Sequence, residues 1–209
     1  MVVRLSQMTL QEVKENFIID VATNLFFTRS ISSVTIKDIA EEAGVGEMTI
    51  YRYFKKKHNI VLAVAMKLQQ QVAAFFDLSK GSTGFEKLSI FYNSYLKIFM
   101  SSPMHYRFIN EFDAYMLEFN DNQGLEKYES SLDFFKTAYL DAYQLGLKDQ
   151  TIRDIGNVEL FYYTSTHSLL ELCKKLSLNN ELLNQDKRSV KYQEIETLIN
   201  VFLTYLKNS

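Results

Sequence analysis

The sequence predicts an all-α protein, and three observations carry that reading. Its 209 residues include one Pro and only seven Gly, so helices can run without interruption. Apolar residues recur at three- and four-residue spacing through most of the chain. Alternating apolar and polar runs closed by turn residues, the mark of strands, are scarce. Hydrophobic residues make up 47% and charged residues 23%, a globular rather than a disordered composition.

The elements follow in order. Leu10, Val13, Phe17, Val21, Leu25 and Phe26 give a helix over 9–28, with Thr9 as N-cap and Glu12 three residues on. A break follows at SISSV, 30–34. Thr35 then caps a short second helix: Asp38 stands three residues later, and Ile36, Ile39, Ala40 and Ala43 share a face. Gly44 ends it, as a residue that accepts positive φ would. A third short helix covers about 46–53, and a long fourth runs from Lys57 to Ser79. KGSTG, 80–84, reads as a linker. Further helices are expected near 85–101, 104–119, 124–147, 157–177 and 191–207. Pro103 separates two of them, and Gly156 or Asn157 can cap the eighth. The polar stretch 178–188 reads as a loop. The pattern divides the chain into a three-helix domain, 1–56, and a larger helical body, 57–209.

Several classes of function find little support. Net charge is −2, so any nucleic-acid function must come from local charge. The single cysteine, Cys173, cannot form an internal disulfide and fits a reducing cytoplasm. The start of the chain lacks a signal-peptide pattern, and no stretch reads as a membrane span. His58, His105 and His167 show no metal-ligand spacing with Cys173. Paired Glu-x-x-His ligands, Asp-rich motifs and nucleophile signatures are missing too, so neither an enzyme nor a cofactor is expected.

The segment GVGEMTIYRYFKKK, 44–57, holds the chemistry. A dinucleotide fingerprint would need a third Gly at Thr49 and a preceding strand, and a Walker loop would need Gly-Lys-Ser/Thr. A helix-turn-helix accounts for more residues. Two short helices meet at a glycine-bearing turn, Ala40 is small where they approach, and Val45 and Ile50 anchor the second on the first. Thr49, Arg52 and Tyr53 then face outward. Between Glu47 and Asp77 there is no acidic residue, while Arg52, Lys55, Lys56, Lys57 and Lys67 lie there. Tyr51 and Tyr53 add hydroxyl donors suited to phosphate.

At these residues the chain resembles a known family. TIKDIAEEAGVGEMTIYRYFKKKHNIVLAV, 35–64, is similar to the DNA-binding signature of the TetR (tetracycline-repressor-like) transcriptional regulators. The match covers roughly 9–65; beyond it, only the helix pattern and the turn at 146–157 agree. The resemblance implies an N-terminal helix-turn-helix domain followed by a helical ligand-binding and dimerisation domain. It implies phosphate contacts from Thr35, Thr49, Tyr53 and Lys57, a base or phosphate contact from Lys37, a groove contact from Tyr51, and base reading by Glu47 and Met48. Arg52 faces the same way. Gly46 stands where Ser is common, and Met48 is bulkier than usual. Glu47 gains a purpose here, because a carboxylate can accept from the cytosine amino group in the major groove; helix capping is its plainer explanation.

The helical body supplies the rest. Phe161, Tyr162, Ser165, Leu169 and Leu172 form one stripe, and Ile195, Leu198 and Phe202 another. The resemblance implies that these last two long helices build a four-helix dimer bundle; internal packing is the alternative. The middle helices are rich in Tyr, Phe and Met. Core packing explains most of them, but so many together also suit a pocket. The resemblance implies an effector pocket in this region, expected from Tyr95, Phe99, Phe112, Tyr115, Met116, Phe135, Tyr139 and Tyr163. Glu111 and Asp113 among them would favour a cationic ligand. The expected protein is a homodimeric regulator, a repressor of a palindromic double-stranded DNA operator, released by a small, mostly apolar or aromatic effector, with no membrane partner. The alternative is a helix-turn-helix protein that organises DNA or binds a partner without answering a small molecule.

Overall fold

The computed structural model describes residues 9–119, 124–178 and 190–208. Among them are nine α-helices: α1 Leu10–Thr28, α2 Ile36–Glu42, α3 Glu47–Phe54, α4 Lys57–Ala73, α5 Gly84–Ser101, α6 Pro103–Phe119, α7 Leu125–Lys148, α8 Val158–Ser177 and α9 Lys191–Leu206. Extended pairing among the described residues is limited to one isolated bridge, Ile152 with Lys207. The stretch expected as a loop at 178–188 lies, except for Leu178, outside the described residues.

Three helices begin with the same local device. Thr9, Thr35 and Thr83 each accept the backbone N–H of an acid three residues on (Glu12, Asp38 and Glu86), and that acid accepts the threonine's own N–H. Each box satisfies two backbone donors that a helix start leaves open. The α2 end is equally specified: Gly44 takes φ +64°, its N–H donates to the Glu41 carbonyl, and the Val45 N–H reaches back to Ala40. This is the Schellman arrangement that turns a chain sharply after a helix.

The chain divides into two compact units, Met1–Lys67 with Glu111–Leu125, and Leu68–Asn110 with Glu126–Ser209. The first unit therefore takes in the start of α4 and the end of α6, beyond the 56/57 division expected from sequence. Its core includes Ile18, Ala22, Phe26, Ile31, Val34, Ile39, Ile50 and Ile60, all nearly inaccessible. The Glu111 carboxylate accepts the Ile31 N–H at 2.8 Å. Glu111 thus serves the turn before α2 and is not held for a cationic ligand.

The second unit packs α5 against α8 and α9. The fourth helix ends at Ala73 and not at Ser79; Phe75 and Phe76 leave it, and Leu78–Lys80 form a 3₁₀ turn. Phe76 then enters a cluster of edge-on rings, 5.1 Å from Phe91, 5.6 Å from Tyr95 and 4.8 Å from Phe135. KGSTG is no linker. Gly84 opens α5, its N–H donates to Asp149 at 2.8 Å, and the Phe85 N–H donates to Thr151 at 3.1 Å. The turn after α7 is also tied to the chain end, with Arg153 N–H donating to Leu206 O and Asn208 N–H to Thr151 O.

Candidate nucleic-acid interface

The second helix of the expected motif, α3, is held by Ile50 and Phe54, one turn apart and both buried. This leaves Glu47, Met48, Tyr51 and Arg52 exposed on the other side. Met48 is 78% exposed and Tyr51 43%, high for large apolar side chains. Thr49 and Tyr53 are half-buried. The Arg52 guanidinium lies 5.2 Å from the Tyr53 ring centre, a cation–π distance. Gly46 caps α3 without a side-chain hydrogen bond, while the Thr49 N–H donates to the Gly46 carbonyl at 2.8 Å.

The other expected contacts are differently placed. Thr35 is exposed, but its hydroxyl donates to Asp38 at 2.6 Å and accepts the Asp38 N–H at 3.1 Å. Its one proton is committed to the capping box. The Thr35 hydrogen bonds hold the Asp38 carboxyl down at about 2, with help from Arg29, so the α2 start carries a negative charge. Lys37 is exposed and lies 3.7 Å from Glu41. Lys57 turns inward: its amine donates to the Ser32 carbonyl at 3.3 Å and lies 5.7 Å from the Tyr115 ring centre. Burial lowers its pKa, opposed by the charge of Asp38. The structure brings Glu47, Met48, Tyr51 and Arg52 together on one exposed helix face; Thr35 and Lys57 have intramolecular partners. Lys55, counted in the basic run but given no contact by the sequence reading, is exposed at the end of α3. The run of three lysines was the signal, but choosing among them needed the turn geometry.

The expected dimer stripe is largely internal. Tyr162, Ser165, Leu169, Ile195 and Phe202 are buried within the chain and present almost no surface to a partner. Phe161, half-buried, stacks on Tyr205 at 5.1 Å. The free surface lies around the helices from that stripe, with Leu160 62% and Val201 57% exposed. Leu172 and Leu198 do line an open groove there, about 530 Å³, with Val190, Gln193, Glu194, Thr197 and Val201. Periodicity identified apolar faces on both helices but not which face each turns inward.

The expected ligand set is divided between the two units. Phe112, Tyr115 and Met116 belong to the first unit, and Tyr95, Phe99, Phe135 and Tyr139 to the second. Tyr163 is exposed, and its hydroxyl accepts from Lys136 at 3.1 Å. Within the second unit the Tyr92 hydroxyl bonds Tyr139 at 2.9 Å and Ser165 at 2.8 Å. Burial pushes the Tyr92 phenol up to about 12. No group of three or more metal-ligating side chains occurs among the described residues. No helix among them is long and apolar enough to cross a membrane.

Comparison with known proteins agrees with this geometry. Residues 18–64 match the family model of the bacterial regulatory proteins, tetR family. The fold is similar to that of Salmonella enterica GusR, with a TM-score of 0.70 and 14% identity over 96% of this chain and 99% of that one. A TetR/AcrR-family transcriptional regulator from Thermobifida fusca gives 0.66 and 16% over 91% and 97%. The ketosteroid transcriptional regulator KstR2 of Mycobacterium tuberculosis gives 0.59 and 13% over 99% and 100%. A search of curated protein sequences finds no match. Residues 18–64 thus carry the helix-turn-helix of the bacterial tetR regulatory proteins, and the chain as a whole has an all-helical fold similar to that of solved TetR-family regulators.

Proposed function

We propose that the protein is a homodimeric repressor that binds a palindromic DNA operator and leaves it when a small, largely apolar or aromatic effector binds the second unit. The observation that carries the DNA half is the α3 face, where Glu47, Met48, Tyr51 and Arg52 are exposed while Ile50 and Phe54 hold the helix from behind. Lys37, Thr49 and Tyr53 flank that face. Arg52 and the tyrosines supply backbone contacts, and Glu47 reads cytosine through its amino group. The direct test is selection of duplexes from a random pool by the wild-type chain and by Glu47→Ala. Unchanged preference at every base position removes Glu47 from the readout.

Dimerisation through the exposed side of α8 and α9 is supported by Leu160, Val201 and the groove lined by Leu172 and Leu198. Two half-sites one helical turn apart suit such a pair. Val201→Glu should give a monomer in sedimentation if this face is the interface; a persistent dimer places it elsewhere.

The effector acts by population shift: it must bind the DNA-incompetent state more tightly, or nothing moves. The close-packed rings around Phe91, Tyr92 and Tyr139 favour a second reading, a DNA-binding protein with no small-molecule response. Mass spectrometry of molecules co-purifying with the chain, followed by thermal shift and DNA release with each, separates the two readings.

A further inference from the structure

The junction between α3 and α4 is strained, and the strained residue is a lysine. Lys55 has φ 61° and ψ −42°, outside the regions an L side chain prefers. The Lys56 N–H donates to the Phe54 carbonyl at 2.7 Å, two residues back, which closes a three-residue γ-turn of the rare positive-φ kind. The surroundings hold the turn shut. The Asn59 side-chain amide donates to the same Phe54 carbonyl at 2.7 Å. Phe54 and Ile60 on either side are buried. The Lys55 N–H bonds Tyr51 O at 2.9 Å and finishes the last turn of α3. Glycine would adopt this conformation without strain, yet the chain keeps a long cationic side chain there. Of the lysines in the run, Lys57 is turned inward to Ser32, whereas the exposed Lys55 amine has no hydrogen-bond or ion-pair partner among the described residues. Sites of retained backbone strain are often functional sites.

We propose that Lys55 contacts the phosphate backbone of duplex DNA, presented at the end of the reading helix by the strained turn that Asn59 closes. This rests on the reading of α3 as the DNA-reading helix. A phosphate contact carries no base information, so Lys55 contributes equally on every sequence.

The test compares the full-length wild type with Lys55→Gly, Lys55→Ala and Lys55→Arg. Each is titrated across salt with a mixed-sequence DNA duplex and with the tightest duplex selected from a random pool. Lys55→Gly relieves the strain, so it should melt no lower than wild type. It should nevertheless bind both duplexes several-fold more weakly, with the slope of log K against log salt shallower by about one per bound protomer. Lys55→Ala should weaken binding in the same way, and Lys55→Arg should keep wild-type affinity and slope. Wild-type affinity and slope in Lys55→Gly would overturn the proposal and leave the lysine as a cation at a helix C-terminus. A loss confined to the selected duplex would also overturn it, by making Lys55 a base reader. A wild-type chain that binds neither duplex would remove the DNA reading itself, whatever Lys55 does.

Discussion

A methyl group placed on Gly84 would stand 2.1 Å from the backbone nitrogen of Gly146. The start of α5 and the end of α7 thus meet backbone to backbone, at a distance no side chain tolerates. Gly146 is equally confined, since its own Cβ would meet the Ile152 side chain at 2.3 Å.

Gly84→Ala should therefore cost about 3 kcal/mol, because the atoms in the way are main chain and cannot rotate aside. Urea unfolding followed by circular dichroism measures this. A midpoint equal to wild type would show that the two helices separate at little cost.

The two glycines of GVG should behave differently. Gly44→Ala should lose about 1 kcal/mol, since its φ of +64° strains any L residue although the space around it is empty. Gly46 has φ −74° and equally open space, so Gly46→Ser should be neutral or gain a few tenths of a kcal/mol as an N-cap. Parallel denaturant titrations of the two variants check the contrast.

Acid should unfold the protein partly through His105. Burial holds its imidazole down at about 4, and its Nδ1 is buried without a hydrogen bond. An unfolded histidine titrates near ~6.5. Between those values the unfolded chain binds more protons, so stability is full above about 6.5 and falls as pH drops toward 4. The shift corresponds to an upper bound of about 3 kcal/mol. His105→Leu should flatten this part of the stability–pH curve; an unchanged slope would assign the acid sensitivity to other groups.

Cys173 should be inert in the folded protein. Its side chain is fully inaccessible, and burial raises the thiol to about 12, with a Tyr106 hydrogen bond acting the other way. Thiolate is the reactive form, so a thiol reagent at neutral pH should label Cys173 only at the rate of unfolding. Rapid labelling without denaturant would show that the second unit opens locally.

Local signals in the sequence translated well into structure. The Thr9–Glu12 and Thr35–Asp38 boxes and the Gly44 stop each lie within a few residues of chain, and each appears where its pattern places it. What went unread depends on partners distant in sequence. The helical pattern runs on through Phe75 and Phe76, but α4 stops at Ala73 and Phe76 joins the rings of Phe91 and Phe135. KGSTG has a linker's composition because Gly84 must lie against Gly146, a need that arises 62 residues away. Tyr162 and Leu169 were assigned to a partner when they complete their own chain's core. For the interface, Ile50 was legible as an anchor of α3 and Arg52 as an outward residue, whereas the second anchor, Phe54, went unread and Thr49 and Tyr53, expected to face outward, are half-buried. The commitments of Thr35 to Asp38 and of Lys57 to Ser32 were not legible, because spacing does not show which hydrogen bonds a side chain has already made.

The free surface at the front of α3 has an evolutionary consequence. Glu47 and Met48 project from a helix fixed by Ile50 and Phe54, so the fold places almost no demand on which residues occupy those two positions. Mutations there cost little stability, so under the proposed DNA-reading role they are filtered by target preference alone. A duplicated copy of the gene could drift to a new set of target sites through these positions while every helix, cap and core residue behind them stayed the same.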